Sequence, residues 1–154
     1  MIGKPYSTAE MVGTPTITQQ FVADANVMVN GIVVGVVFYN SPAFTDLSLS
    51  VWSDRSNSAV LQIATSTNSY TQADCLSGDT NSYRLLGFSF DDLPIRIGAK
   101  YHIALSATAY TGTSASHIAW RLSYPDPQYQ TGLTLDAAHA DNHSFEFSII
   151  SREI

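Results

Sequence analysis

The sequence predicts an all-β fold, an antiparallel two-sheet β-sandwich of about eight strands. Three observations carry that expectation. Apolar residues recur with period two, as strands with one buried face require. No stretch sustains the 3.6-residue periodicity of a helix. Clusters of Gly, Pro, Asn, Asp and Ser separate the alternating segments, for instance at Asn40 to Pro42, Asp54 to Ser58, Ser77 to Ser82 and Tyr124 to Pro127.

Residues 1–16 hold two prolines and two glycines and show no alternation, so they read as an N-terminal arm able to reach a neighbour. A single sandwich domain is expected over 17–154. Ile17, Gln19 and Phe21 open the strand series. Ile32 to Tyr39 is apolar on both faces: Ile32, Val34, Val36 and Phe38 suit the core, which leaves Val33 and Val37 pointing outward. Either a loop covers those two valines or they meet another subunit. Leu47, Leu49 and Val51 alternate with Ser48, Ser50 and Trp52, which places the indole on the polar face. Leu61 and Ile63 follow, then Leu86, Phe88 and Phe90, with Asp91 and Asp92 read as the exit of that strand. Tyr101, Ile103, Leu105 and Ala107 form the next inner face, and Ile118, Trp120, Leu122 and Tyr124 the one after it. Phe145, Phe147 and Ile149 close the series, with Glu146 facing solvent between two phenylalanines. The count of short strands and turns is jelly-roll-like.

Composition narrows the function. A chain of 154 residues can bury a real core. Only 13% of residues are charged, the formal net charge is −6, and the two lysines and five arginines are scattered singly. Nucleic-acid binding needs clustered positive charge to displace phosphate counterions, so it is not expected. The apolar run at Ile32 is too short to span a bilayer as a helix, and no apolar segment follows Lys4 as a signal peptide would require, so neither membrane insertion nor signal-directed export is expected. Ser and Thr together number 33, an uncharged hydrogen-bonding coat suited to an extracellular or particle surface. Cys75 is the only cysteine, which rules out an intrachain disulfide and fits a small semi-buried residue.

Chemistry-bearing motifs are sparse. There is no Gly-x-Ser-x-Gly elbow and no phosphate-cradling glycine loop, and the three glutamates, Glu10, Glu146 and Glu153, offer no convergent acid–base pair. No catalytic residue is assigned, and a non-enzymatic role is expected. His139, Asp141 and His143 would share one face of an extended segment and suit a divalent transition ion, although Asp-Asn-His is also ordinary turn chemistry. Calcium held by Asp126, Asp136 or Asp141 with backbone carbonyls is equally compatible, and no cofactor is required by either reading. Aromatic residues suggest a glycan surface: Trp52, Tyr124 and Tyr129 could stack on sugar rings while Arg121, Asp126 and Gln128 bond hydroxyls. The same rings serve packing or an interface, with Trp52 joining Val33 and Val37 there.

The order Gln20-Phe21, Leu49 to Trp52, Phe88 to Leu105, Ile118 to Trp120 and Ser144 to Ile149 resembles a jelly-roll module of phage virion proteins and bacterial surface proteins, often described as carbohydrate-binding-like. The similarity spans residues 17–150, and its motifs are structural. The resemblance implies a virion structural protein, a capsid decoration or a tail or fibre subunit, with other virion proteins and copies of itself as partners. Its alternative is a carbohydrate-binding module recognising cell-surface glycans, located at the bacterial surface or outside the cell.

Overall fold

The computed structural model describes residues 6–123, 144, 145 and 147–153. They form two antiparallel sheets packed face to face. The strands are β1 (Tyr6–Glu10), β2 (Thr16–Val22), β3 (Val27–Tyr39), β4 (Leu47–Arg55), β5 (Ser58–Thr65), β6 (Ser82–Ile95), β7 (Lys100–Ala107), β8 (His117–Ser123), β9 (Ser144–Phe145) and β10 (Phe147–Glu153), with one short helix α1 (Gln72–Leu76) between β5 and β6. One sheet follows the path β1-β8-β3-β10, with β6 branching from β3 and β9 from β8; the other follows β2-β7-β4-β5. The eight segments that the alternation predicts are found as β2 to β8 and the closing strands β9 and β10.

Most of the alternating residues fill the space between the sheets as expected, whereas Leu61 and Ile63 of the edge strand β5 are exposed. Leu47, Leu49, Val51, Ile103 and Leu105 come from the four-stranded sheet, and Ile32, Val34, Val36, Phe38, Phe88, Ile118 and Trp120 from the six-stranded one; all are buried. Removing each such side chain from water contributes roughly 1.5–3 kcal/mol, which makes this layer the main source of stability. The strand β3 is the spine. Along one edge it pairs with β6, and along the other with β10 and then β8. Central position satisfies its backbone on both edges, while of its two apolar faces only the inner one, with Ile32, Val34, Val36 and Phe38, is buried in the core.

Three local features depart from the sequence reading. Tyr6–Glu10, inside the segment expected to carry no strand, pairs with β8 from Ser123 to Ala119. The strand β6 does not end at Asp91 and Asp92 but runs on to Ile95, opposite Val27. A register shift opposite Asn30 absorbs the irregularity, Asp92 sits there at φ 34°, and Pro94 is tolerated because β6 is an edge strand. The Asp92 carboxylate accepts from Asn30 Nδ2 at 2.6 Å and from Arg152 Nη2 at 3.1 Å. Helix α1 is the third. Thr71 accepts from the Asp74 N–H and Asp74 accepts from the Thr71 N–H, a reciprocal cap that starts the helix, while Ser77 in the left-handed region ends it. This short turn buries Cys75 and Leu76 against the core, and burial pushes the Cys75 thiol up to about 12.

The residue that follows β1, Met11, is latched to β8, its N–H donating to the Ile118 carbonyl at 2.8 Å. The Tyr110 hydroxyl donates to the Met11 carbonyl and accepts from the Ile118 N–H at 2.9 Å. Gly112 lies under this latch, where a Cβ would overlap both the Met11 carbonyl oxygen and the Tyr110 hydroxyl.

Candidate functional site

On the outer face of the four-stranded sheet, register brings one side chain from each strand into a row. Gln20 lies opposite His102, His102 opposite Trp52, and Trp52 opposite Gln62. The neighbouring row is Thr18, Ala104, Ser50 and Thr65. Lys100 and Asp54 lie beyond the first row, towards the β4–β5 turn. That turn places Ser56 and Asn57 at φ 54° and 63°, the two left-handed residues of a tight hairpin loop.

These side chains interlock. His102 Nε2 is 2.7 Å from Asp54 Oδ1, and Gln20 Nε2 donates to the same oxygen at 2.8 Å. Gln20 Nε2 also donates to Asn57 Oδ1 at 3.2 Å, and Lys100 Nζ reaches that oxygen at 3.1 Å. The Asn57 N–H donates to Asp54 Oδ2 at 3.4 Å, tying the turn to the face. Gln20 is 1% exposed and His102 5%, so these two side chains are held away from water although they lie on an outer face, while Asn57 and Lys100 at the margin are exposed. Burial works to raise the Asp54 carboxyl, but bonds from His102, Gln20 and the Asn57 backbone, with the imidazole charge, hold it below the usual carboxylate range.

Beside the cluster lies Trp52, half-buried, its Nε1 donating to Ser50 Oγ at 2.8 Å. That bond turns the indole along its own strand and fixes the ring's orientation. The surroundings are hydroxyls and amides: Ser50, Thr65 and Gln62, whose Nε2 donates to Thr65 Oγ1 at 2.6 Å. A fixed aromatic ring ringed by uncharged hydrogen-bonding groups can stack on an apolar face of a polyol. An Asp–His pair is also part of hydrolytic machinery, but among the described residues no hydroxyl or thiol bonds the other nitrogen of His102.

The outer face of the six-stranded sheet is different. Val33 and Val37 are there as expected, half-buried, with Val37 opposite Tyr83 and Val33 opposite Gly87. Leu85 opposite Gly35 is 64% exposed, and Ile150 opposite Gly31 is 55% exposed. A Cβ built on Gly87 meets nothing within 4 Å, so the surface is open at that point. The Arg121 guanidinium carbon lies 4.7 Å over the Tyr83 ring, a cation–π contact at the margin of this apolar strip.

Trp52 and Arg121 therefore do not converge. They stand on different sheets, Arg121 following the inward-facing Trp120 and so directed away from the sandwich on the far side. For the same reason Trp52 does not share a face with Val33 and Val37. Tyr124, Asp126, Gln128, Tyr129, Asp136, His139, Asp141, His143 and Glu146 lie outside the described residues. Among the described residues no three His, Cys, Asp or Glu side chains come together in a way that could hold a metal ion. Sequence reasoning missed Gln20, Asp54, Asn57, Lys100 and His102. The available signal was weak: His102 on the polar face of its strand, and an Asp and an Asn within one turn cluster. No protein-family model matches the chain, and neither does any curated protein sequence.

Proposed function

We propose that the chain is a non-enzymatic structural protein of a phage virion, a capsid decoration or a tail or fibre subunit, that works by assembly. The observation that carries this reading is the apolar outer face of the six-stranded sheet, where Leu85 and Ile150 stand exposed beside Val33, Val37 and Tyr83. A contiguous apolar surface of this kind on a domain with so few charges is the usual mark of a protein interface. The low charge and the Ser/Thr-rich coat agree with a particle surface. The partners are other virion proteins and further copies of the chain. An antibody raised against the protein, applied to particles purified from a lysed culture that encodes it, should label capsid or tail. Unlabelled particles would remove the virion assignment.

A second reading is favoured by Trp52. Its oriented ring among Ser50, Gln62 and Thr65 supports a carbohydrate-binding module recognising cell-surface glycans, located on the particle or at the bacterial surface. On a glycan array, Trp52→Ala should abolish any binding that the unaltered chain shows. Binding retained by that variant would exclude this face.

A further inference from the structure

The Nε2 atom of His117 is buried and has no hydrogen-bond partner, in a side chain only 7% exposed. The ring is held from two sides. Thr113 and Ser116 close a turn just before β8, the Thr113 N–H donating to the Ser116 carbonyl at 2.9 Å and the Ser116 N–H to the Thr113 carbonyl at 3.2 Å. That same Thr113 carbonyl lies 3.0 Å from His117 Nδ1. A carbonyl only accepts, so Nδ1 carries the hydrogen, and in the neutral ring the lone pair is left on Nε2. Tyr39, directly opposite on β3, packs its ring 4.8 Å from the imidazole.

Across the seam between β1 and β8 stands Glu10, the last residue of β1. It pairs with Ala119, one step along the same outer face from His117, and its Oε1 is 3.6 Å from Nε2. That separation is too long for a hydrogen bond. It is close to the edge of a coordination tetrahedron, because two donors about 2.1 Å from one ion lie about 3.4 Å apart.

We propose that His117 Nε2 and the Glu10 carboxylate form a two-ligand site for a divalent transition ion of the zinc class. An imidazole nitrogen beside a carboxylate selects such an ion over magnesium and calcium, which take oxygen ligands. The Nδ1–H bond to a backbone carbonyl is the outer contact that orients a metal-binding histidine. Access comes from Glu10, whose side chain is 53% exposed and can turn aside to admit the ion and then close on it. Water completes the coordination. The effect is mechanical: β1 is an edge strand whose only strand partner among the described residues is β8, and the ion adds a side-chain tie between the two. The site depends on neither the strip around Leu85 nor the ring of Trp52.

Isothermal titration of the whole chain with zinc chloride, with magnesium chloride as the control, tests the site. The expected result is saturable binding of zinc alone, with a raised melting temperature and slower hydrogen exchange of amides 6–10 in the loaded protein. Glu10→Gln should weaken that binding by at least about tenfold, the lower end of what even an outer partner of a metal ligand contributes. His117→Gln should abolish it. Glu10 is exposed, so its variant keeps the test decisive if the buried substitution disturbs folding. No zinc binding would overturn the site and leave the gap between Nε2 and Oε1 to a proton only. Zinc binding that is unchanged in Glu10→Gln, and lost in His139→Ala combined with His143→Ala, would overturn it by placing the ion elsewhere.

Discussion

The two outer faces of the sandwich invert the usual distribution of polarity. On the four-stranded sheet the outer side chains are polar, yet Gln20 and His102 are buried because they bond to one another's neighbours and to the β4–β5 turn. On the six-stranded sheet the outer face carries an apolar strip beside Arg121 and Ser148, and there Leu85 and Ile150 remain exposed. Polarity alone therefore does not say which face is finished. A polar face with its hydrogen bonds satisfied internally is a completed surface. An apolar face without cover is an unfinished one.

Substitutions in each layer should separate these roles by magnitude. Trp120→Ala, in the core beneath both faces, should cost about 3–5 kcal/mol in chemical denaturation, the largest effect of the series. If it costs no more than a surface change, the two faces do not share one core. Gln20→Ala should cost about 1–3 kcal/mol, because the largely covered Asp54 carboxylate loses a donor. A neutral result would show that the polar face is not interlocked.

Acid should weaken the polar face in a definite direction. The Asp54 carboxyl of the folded chain lies below its ordinary value of 3.8, so its stabilisation is complete above that value and is lost as pH falls through the folded-state value. Melting temperatures followed from neutrality into acid should therefore fall less steeply for Asp54→Asn than for the unaltered chain. Asp74 and Asp92, also held low by hydrogen bonds, contribute slope in the same direction. Equal slopes in the two proteins would remove Asp54 from the network's energetics. The smallest effect belongs to the apolar face: Leu85→Asp should change stability by no more than about 0.5 kcal/mol while weakening association measured by light scattering. A large loss of stability there would mean that Leu85 is part of the fold and not of an interface.

Much of the core was legible because burial is written with period two. Leu47, Leu49 and Val51, or Ile118 and Trp120, state their own direction without reference to any partner. The outward valines of β3 could be read in the same way. The polar cluster could not, since Gln20, Asp54 and His102 meet only through the register of three strands far apart in sequence, and alternation does not encode register between strands. Helix α1 is a different kind of miss. Thr71 and Asp74 form a recognisable cap, but five residues are too few to display a helical period. Strand β1 was hidden by its neighbours: prolines and glycines on either side of Tyr6–Glu10 made the whole segment look irregular.

The position of β3 also bears on how the chain reaches this structure. Its residues belong to the first quarter of the sequence, but one of its edges is completed by β8 and β10, and Ile32 lies opposite Ile149. On a ribosome the spine of the sheet emerges well before β8 and β10 and must wait, with one backbone edge unpaired, until those strands follow. Such high contact order places folding in the slow range of milliseconds to seconds, and the nascent chain is the state in which a chaperone would have the most to hold.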